Sequence, residues 1–248
     1  MAGHSKWKNI QHRKGAQDAK RGKIFTKLIK EITVAVKVGG DDPDANPRLR
    51  AAIQNAKGAN MPKDNIARAI KKASGADGND LIETTFEGYG PEGVAIFVEC
   101  ATDNNTRTVA NVRSAFNKMG GSLGKDGCLQ FIFSRQAVFT IDAAGVSDVD
   151  ELELELIDAG AEEIENEDGF ITVYGAMEDF GNISQKLEEL SLEAKESGLQ
   201  RIPSMNKEVT PKGFETLMKL IDRLEDDDDV QKVYHNIEFT DELAAQLG

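Results

Sequence analysis

Five lysines near the start of the chain recur on one side of a helical pattern. Apolar residues at Ile24, Leu28, Ile32 and Val36 repeat every four positions, which predicts an amphipathic helix from about Gln17 to Val38. At about 100° per residue, the opposite side carries the lysine stripe, Lys20, Lys23, Lys27, Lys30 and Lys37. Regularly spaced ammonium groups bind phosphates, so the stripe predicts contact with a nucleic-acid backbone. We expect it to lie away from the packed side of the helix, so that changing Lys20, Lys23 and Lys27 to Glu leaves the fold intact.

Residues 1–15 have no apolar period and are predicted to form a basic arm beside the stripe. Trp7 is the only tryptophan, and it either stacks on an exposed base or anchors the arm to the helices. The two histidines of the arm, His4 and His12, lack a Cys or acidic partner and are therefore poor metal ligands, although both could contact phosphate or RNA. The polar residues of the arm are His4, Ser5, Lys6, Lys8, His12, Arg13 and Lys14.

Charge is divided unevenly along the chain. Residues 1–75 have a net charge of +11 and the remaining residues a net charge of −24, against −13 for the whole. Such asymmetry indicates a basic binding module joined to an acidic body; an unevenly charged but simply solvated surface is the alternative. Because the body repels a long polyanion, contact must be limited to one face or end of the molecule.

The remaining motifs do not predict catalysis, a metal or a cofactor. The segment from Gly120 to Lys125 resembles a phosphate loop but lacks the Ser or Thr after its lysine. The run Asp226–Asp229 is more typical of a solvated acidic turn than of a metal site, and Asn104 is expected to cap a helix. Cys100 and Cys128 are predicted to be small buried residues in a reducing compartment, and no apolar run is long enough to span a membrane. We therefore expect a cytoplasmic, non-enzymatic protein, by default a monomer.

The order of predicted elements indicates an α+β multidomain fold. Helices starting near Asn46 and Asn60 join the first one in a three-helix bundle. Further on, strands and helices alternate as ββαβ, βαββαβ and αβ, including a strand predicted at Cys128–Phe133. The middle unit is complete, so we predict two ferredoxin-like α+β domains, one inserted in the other. The expected domains are residues 1–78, residues 79–134 with 204–240, and the insert at 135–203; a single larger sheet is the alternative.

Several segments resemble the YebC/PmpR family, which includes a mitochondrial translational activator of cytochrome oxidase. They are MAGHSKW, QDAKRGKIFTKLIKEI, NPRLR, NMPKDNIARAIKK, FEGYGPEGVA, GGSLGKDG and LEDDDDVQKVYHN. The resemblance runs from residue 1 to about 240. It implies a helical N-terminal domain and two related α+β domains, one inserted in the other.

The resemblance also implies a regulator that binds nucleic acid. Members are described as transcriptional regulators that bind DNA, and others look like translation factors that bind rRNA or tRNA at the ribosome and help synthesis through proline-rich stretches. The family's opening basic block corresponds here to His4, Ser5, Lys6, Trp7, His12, Arg13, Lys14, Lys20, Arg21, Lys23 and Lys27; Lys8 and Lys30 extend it. We expect a DNA-binding transcriptional regulator, with a translation factor as the alternative and a protein adaptor that docks an acidic partner as a third class.

Overall fold

The computed structural model describes residues 18–75, 81–240 and 243. Its first part consists of three helices, α1 (Asp18–Gly39), α2 (Pro47–Gly58) and α3 (Lys63–Ser74). Asn46 begins α2 because its side-chain oxygen accepts a hydrogen bond from the Leu49 N–H at 3.1 Å. The apolar sides of the helices form one core that includes Ile32, Leu49 and Ile66. We call this part the helical domain.

The first sheet joins strands from distant parts of the chain. Its strand order is β3-β1-β2-β8, from β1 (Ile82–Tyr89), β2 (Ala95–Thr102), β3 (Ser122–Leu123) and β8 (Val230–His235), all antiparallel. Helices α4 (Asn105–Lys118) and α7 (Pro211–Glu225) cover one face. They bury Phe116 and Leu217 against Ile96 and Val98 of the central strand. The other face of this sheet turns toward the helical domain and the second sheet.

The second sheet comes from one continuous segment. Its strand order is β5-β6-β4-β7, from β4 (Phe133–Asp142), β5 (Ala161–Glu167), β6 (Phe170–Ala176) and β7 (Ala194–Pro203), again antiparallel. Helices α5 (Val149–Asp158) and α6 (Phe180–Glu189) pack on one face through Leu156 and Ile183. The fold is therefore α+β with two four-stranded antiparallel sheets. The predicted boundary at residues 134 and 135 falls inside β4.

The strand predicted at Cys128–Phe133 is wrong. Residues 126–132 form turns, and only Phe133 belongs to a strand. The side chain of Glu87, which is buried in β1, accepts hydrogen bonds from the N–H groups of Gly127 and Leu129 at 2.9 and 2.6 Å. These bonds hold the backbone in a turn while Leu129 fills a core position, so the apolar residues here do not follow the alternation of a strand.

The helical domain contacts the second sheet through α2. The Asn55 side chain donates to the Ser197 carbonyl and accepts from the Ser197 N–H, both at 2.8 Å. Three residues later, Gly58 lies so close to the Lys195 carbonyl that any β-carbon would overlap it. Paired hydrogen bonds and a close backbone approach thus fix α2 against β7.

Within the described residues, no helix is both long and apolar enough to cross a membrane.

Candidate nucleic-acid interface

Three lysines of the stripe contact the acidic turn or the residue before it, Glu225; we define the acidic turn as Asp226–Asp229, between α7 and β8. Lys23 Nζ lies 2.6 Å from Asp226 Oδ1, and Lys27 donates to the Glu225 carbonyl at 2.8 Å. Lys30 donates to the Asp228 and Ala101 carbonyls at 2.8 and 3.0 Å. The cations of α1 thus satisfy carbonyl groups at and beyond the C-terminal end of α7, where the helix dipole favours positive charge.

Asp229 is the most connected residue of the acidic turn. Its carboxylate pairs with Lys30 at 2.9 Å and with Arg107 Nη2 at 2.7 Å, and it accepts from Thr102 and Thr108 at 3.1 and 2.9 Å. Only 6% of its side chain is exposed. Burial acts to raise the pKa of Asp229, but the hydrogen bonds from Arg107, Lys30 and Thr108 lower it to about 2. A charged carboxylate therefore links α1, β2 and α4.

These contacts correct two expectations. The acidic turn is not uniformly solvated, since Asp229 is buried and paired. The stripe does not face open solvent either: the Lys30 side chain is only 17% exposed, and burial lowers the pKa of Lys27. Periodicity correctly placed the lysines opposite the apolar side of α1, but it could not reveal that an acidic segment about 200 residues later covers them.

The other residues of the predicted contact surface stay predictions. Lys20 and Arg21 lie in the first turn of α1, and their side chains are outside the described part of the chain. The arm residues also lie outside it: His4, Ser5, Lys6, Trp7, Lys8, His12, Arg13 and Lys14.

A second group of cations, outside the predicted contact surface, lies on the outer side of the helical domain. Residues 47–75 contain seven Lys and Arg and one acid, Asp64. Within residues 47–75, four exposed lysines make no side-chain hydrogen bond or ion pair: Lys57, Lys63, Lys71 and Lys72. The available signal was their position opposite the buried Ile66, Ala69 and Ala73 of α3.

A cavity of about 1450 Å³ lies where the helical domain meets the two sheets. Its charges are mixed and largely paired: Arg48 hydrogen-bonds Glu83, and Arg201 binds Glu99 at 2.9 Å while lying 3.7 Å from the Phe97 ring centre. A cavity whose cations already have carboxylate partners offers little to a polyanion. We therefore place the candidate interface on the basic helical domain and not in this cavity.

The described thiols and the described histidine have pKa values shifted from their ordinary ranges. Cys100 is buried as predicted, but Cys128 is exposed, so the prediction that it is buried is wrong. Burial raises the pKa of Cys100 to about 12, and partial desolvation together with the nearby Glu87 carboxylate raises the pKa of Cys128. Burial lowers the pKa of His235 to about 4. Both thiols are thus protonated near neutral pH, whereas a nucleophilic cysteine needs a lowered pKa.

Two family models together match most of the chain. The model described as "TACO1/YebC protein N-terminal domain" matches residues 5–76, which include the helical domain. The model described as "TACO1/YebC second and third domain" matches residues 81–237, which include both sheets.

Curated relatives and a solved structure agree with these models. A "Probable transcriptional regulatory protein" of Amoebophilus asiaticus is 57% identical over 96% of this chain and 98% of its own length. The "Probable transcriptional regulatory protein YrbC" of Bacillus subtilis is 54% identical over 95% and 99%. The crystal structure of a conserved hypothetical protein from Aquifex aeolicus superposes with a TM-score of 0.83 at 39% identity, covering 90% of this chain and 93% of that one. The chain therefore belongs to the TACO1/YebC family.

Proposed function

We propose that this protein is a transcriptional regulator that binds DNA through its basic N-terminal region. The observation that carries the proposal is the separation of charge in the fold. The helical domain keeps a group of unpaired cations on its outer side, whereas the chain beyond residue 75 has a net charge of −24. A polyanion is therefore attracted to one end of the molecule and repelled by the rest. The names of the relatives support a role in transcription.

The proposed contacts come from the arm and the start of α1. The arm supplies Lys6, Lys8, Arg13 and Lys14, and Lys20 and Arg21 follow in α1. Lysine and arginine bind phosphates mainly by position and charge, so these residues supply affinity more than sequence readout. With both thiols protonated and His235 buried, we further infer that regulation proceeds by binding and not by catalysis.

Crosslinking in living cells, followed by sequencing of the attached DNA and RNA, tests this function. We expect DNA reads at discrete promoters, and their loss in a variant with Lys6, Lys8, Arg13 and Lys14 all changed to Gln. A variant with four body lysines changed to Gln, Lys118, Lys125, Lys212 and Lys219, removes the same charge and should retain the reads. Recovery of DNA at no more than the background of an untagged strain would overturn the proposal.

A translation factor that binds ribosomal RNA is the second candidate. It is favoured by the acidic body, because a ribosomal crevice can receive one basic end of a molecule without surrounding the remainder. In the same experiment, reads confined to ribosomal RNA or tRNA, and lost in the arm variant, would select this candidate over the first.

A further inference from the structure

We infer that the outer side of the helical domain is a second nucleic-acid contact, one that receives the phosphate backbone of a duplex. We define this outer cationic face as Lys57, Lys63, Arg68, Lys71 and Lys72. The inference deepens the proposed function and rests on it, but it concerns residues apart from the arm and from the lysine stripe.

The first support is the position of α3 in the fold. Its buried residues Ile66, Ala69 and Ala73 face the core shared with α1 and α2. Arg68 and Lys71 lie opposite these buried residues, with Lys63 and Lys72 to either side of them, and Lys57 follows from α2. All five cations are exposed. Because α1 and α2 make the described contacts with the acidic turn and with β7, the outer cationic face is left open to a large partner.

The second support is the availability of the charges. Lys23, Lys27 and Lys30 already hold groups of the acidic turn or of its neighbour Glu225, so a phosphate must compete with these partners. The lysines of the outer cationic face have no such competitor among the described residues. Arg68 bonds only within its own helix, to Asn65 Oδ1 at 2.7 Å and to the Asp64 carbonyl at 3.3 Å. Binding here therefore requires no internal ion pair to be broken.

The third support is the dimension and composition of the surface. From Lys63 to Lys72, α3 extends by about 14 Å, at 1.5 Å per residue. This length corresponds to about four base pairs, at ~3.4 Å of duplex axis each, so the face is long enough to lie along the backbone of a duplex. Residues 47–75 contain no aromatic side chain, whereas surfaces that bind single strands stack bases on aromatic rings. The chemistry therefore favours a duplex, held by its backbone without readout of bases.

Two of the lysines of α3 have an explanation that requires no ligand. Basic residues in a last turn stabilise a helix, which accounts for Lys71 and Lys72. That effect does not account for Lys63 in the first turn, where the helix dipole disfavours a cation. Nor does it account for Lys57, which belongs to α2. A shared ligand on this side of the domain explains all of these positions.

The test is the salt dependence of duplex binding by the full-length protein. The variant has Lys63, Lys71 and Lys72 changed to Gln, and the control has Lys118, Lys125 and Lys212 changed to Gln. All six lysines are exposed, so both variants should unfold at the wild-type temperature. The ligand is a 20-base-pair DNA of mixed sequence, titrated at several concentrations of KCl. Parallel titrations use duplex RNA and single-stranded RNA of the same length.

Each phosphate contact contributes about −0.9 to the slope of log K against log salt, or about eightfold in affinity at 0.1 M salt. We expect the variant to reduce the magnitude of the slope for duplex DNA by about 2 to 3, while the control keeps the slope of the wild type.

Equal slopes for the variant and the control, with the wild type binding DNA, would overturn the outer cationic face and leave the proposed function standing. An effect confined to single-stranded RNA would overturn the choice of a duplex. If the wild type does not bind duplex DNA even at low salt, the inference is overturned, and the sequencing experiment in cells judges the proposed function separately.

Discussion

Lys30 and Asp229 form a mostly buried ion pair, with Nζ and Oδ1 2.9 Å apart, that fastens α1 to the turn before β8. The partners lie 199 positions apart in the chain. Lys30 also donates to two carbonyl groups, and Asp229 accepts from Arg107 and from two threonines. A buried pair with such additional hydrogen bonds is costly to break, because removing one partner leaves the other charge poorly solvated.

We therefore predict that Lys30→Met lowers the free energy of unfolding by about 3 kcal/mol. Lys23→Met is the matched control, since its ion pair with Asp226 is largely exposed, at 46% and 71%. Such a pair contributes less than about 1 kcal/mol. Urea unfolding of both variants at pH 7 measures the difference. Equal losses would show that Lys30 is not a buried anchor of α1.

The close approach of α2 to β7 yields a second prediction. Gly58→Ala would place a β-carbon against the Lys195 carbonyl, so one backbone must move and the bonds between Asn55 and Ser197 must lengthen. We expect a destabilisation of about 1–3 kcal/mol, as for other overpacked positions.

The control for Gly58→Ala is Gly22→Ala in α1, where a new β-carbon meets no described atom within 4 Å apart from its chain neighbours and the backbone of its own helix. Alanine should stabilise that position by about 0.5–1 kcal/mol, because glycine is a poor helix former. Thermal unfolding compares the two variants. A neutral Gly58→Ala would mean that α2 does not approach β7 as closely as described.

His235 makes stability depend on pH. Its pKa is lowered by burial to about 4, from an ordinary value of 6.5. Between these values the unfolded chain binds the proton and the folded chain does not, so stability falls as the pH decreases from 6.5 toward 4. At about 1.4 kcal/mol per pH unit, the loss at pH 4.5 is roughly 2–3 kcal/mol.

Urea unfolding at pH 7, 6, 5 and 4.5 measures this loss. His235→Asn should flatten the profile over this interval even if it lowers stability at every pH, whereas His12→Asn in the arm should keep the wild-type slope. A profile unchanged by His235→Asn would assign the pH dependence to other groups.

Glu87 provides the fourth prediction, because its carboxylate holds the turn that replaces the predicted strand. Glu87→Gln keeps one acceptor oxygen but turns an amide N–H₂ toward a backbone N–H. One buried donor then loses its partner, at a cost of about 1–3 kcal/mol. We also expect faster amide hydrogen exchange at Gly127 and Leu129. The exposed Glu215→Gln should change neither quantity, and unchanged exchange in Glu87→Gln would contradict the assigned role.

Local patterns predicted much of the fold. The four-residue spacing from Ile24 to Val36 identified α1, and the caps Asn46 and Asn104 marked the starts of α2 and α4 correctly. These features depend on neighbouring residues, which is why a sequence reveals them. The error at residues 128–133 has a distant cause, because the carboxylate that shapes the turn belongs to β1.

The candidate interface was harder to predict for the same reason. Seventeen Lys and Arg in residues 1–75 identified a basic module. Which of those charges face a partner depends on where the acidic turn lies in space. The hydroxyl groups of Thr102 and Thr108 donate hydrogen bonds to Asp229. The sequence near Thr102, Thr108 and Asp229 gives no sign that these residues meet in the fold. The predicted contact surface included none of the lysines of α3.

The pairing of the α1 lysines with the acidic turn also affects how the molecule moves toward a charged partner. Opposite charges offset one another at that contact, so exposed positive charge remains on the outside of α3, whereas the chain beyond residue 75 has a net charge of −24. Such a separation of charge gives a molecule an electric dipole moment. In the field of a polyanion such a molecule rotates before contact, so productive encounters become more frequent than random orientation allows, and this advantage declines as added salt shortens the range of the field.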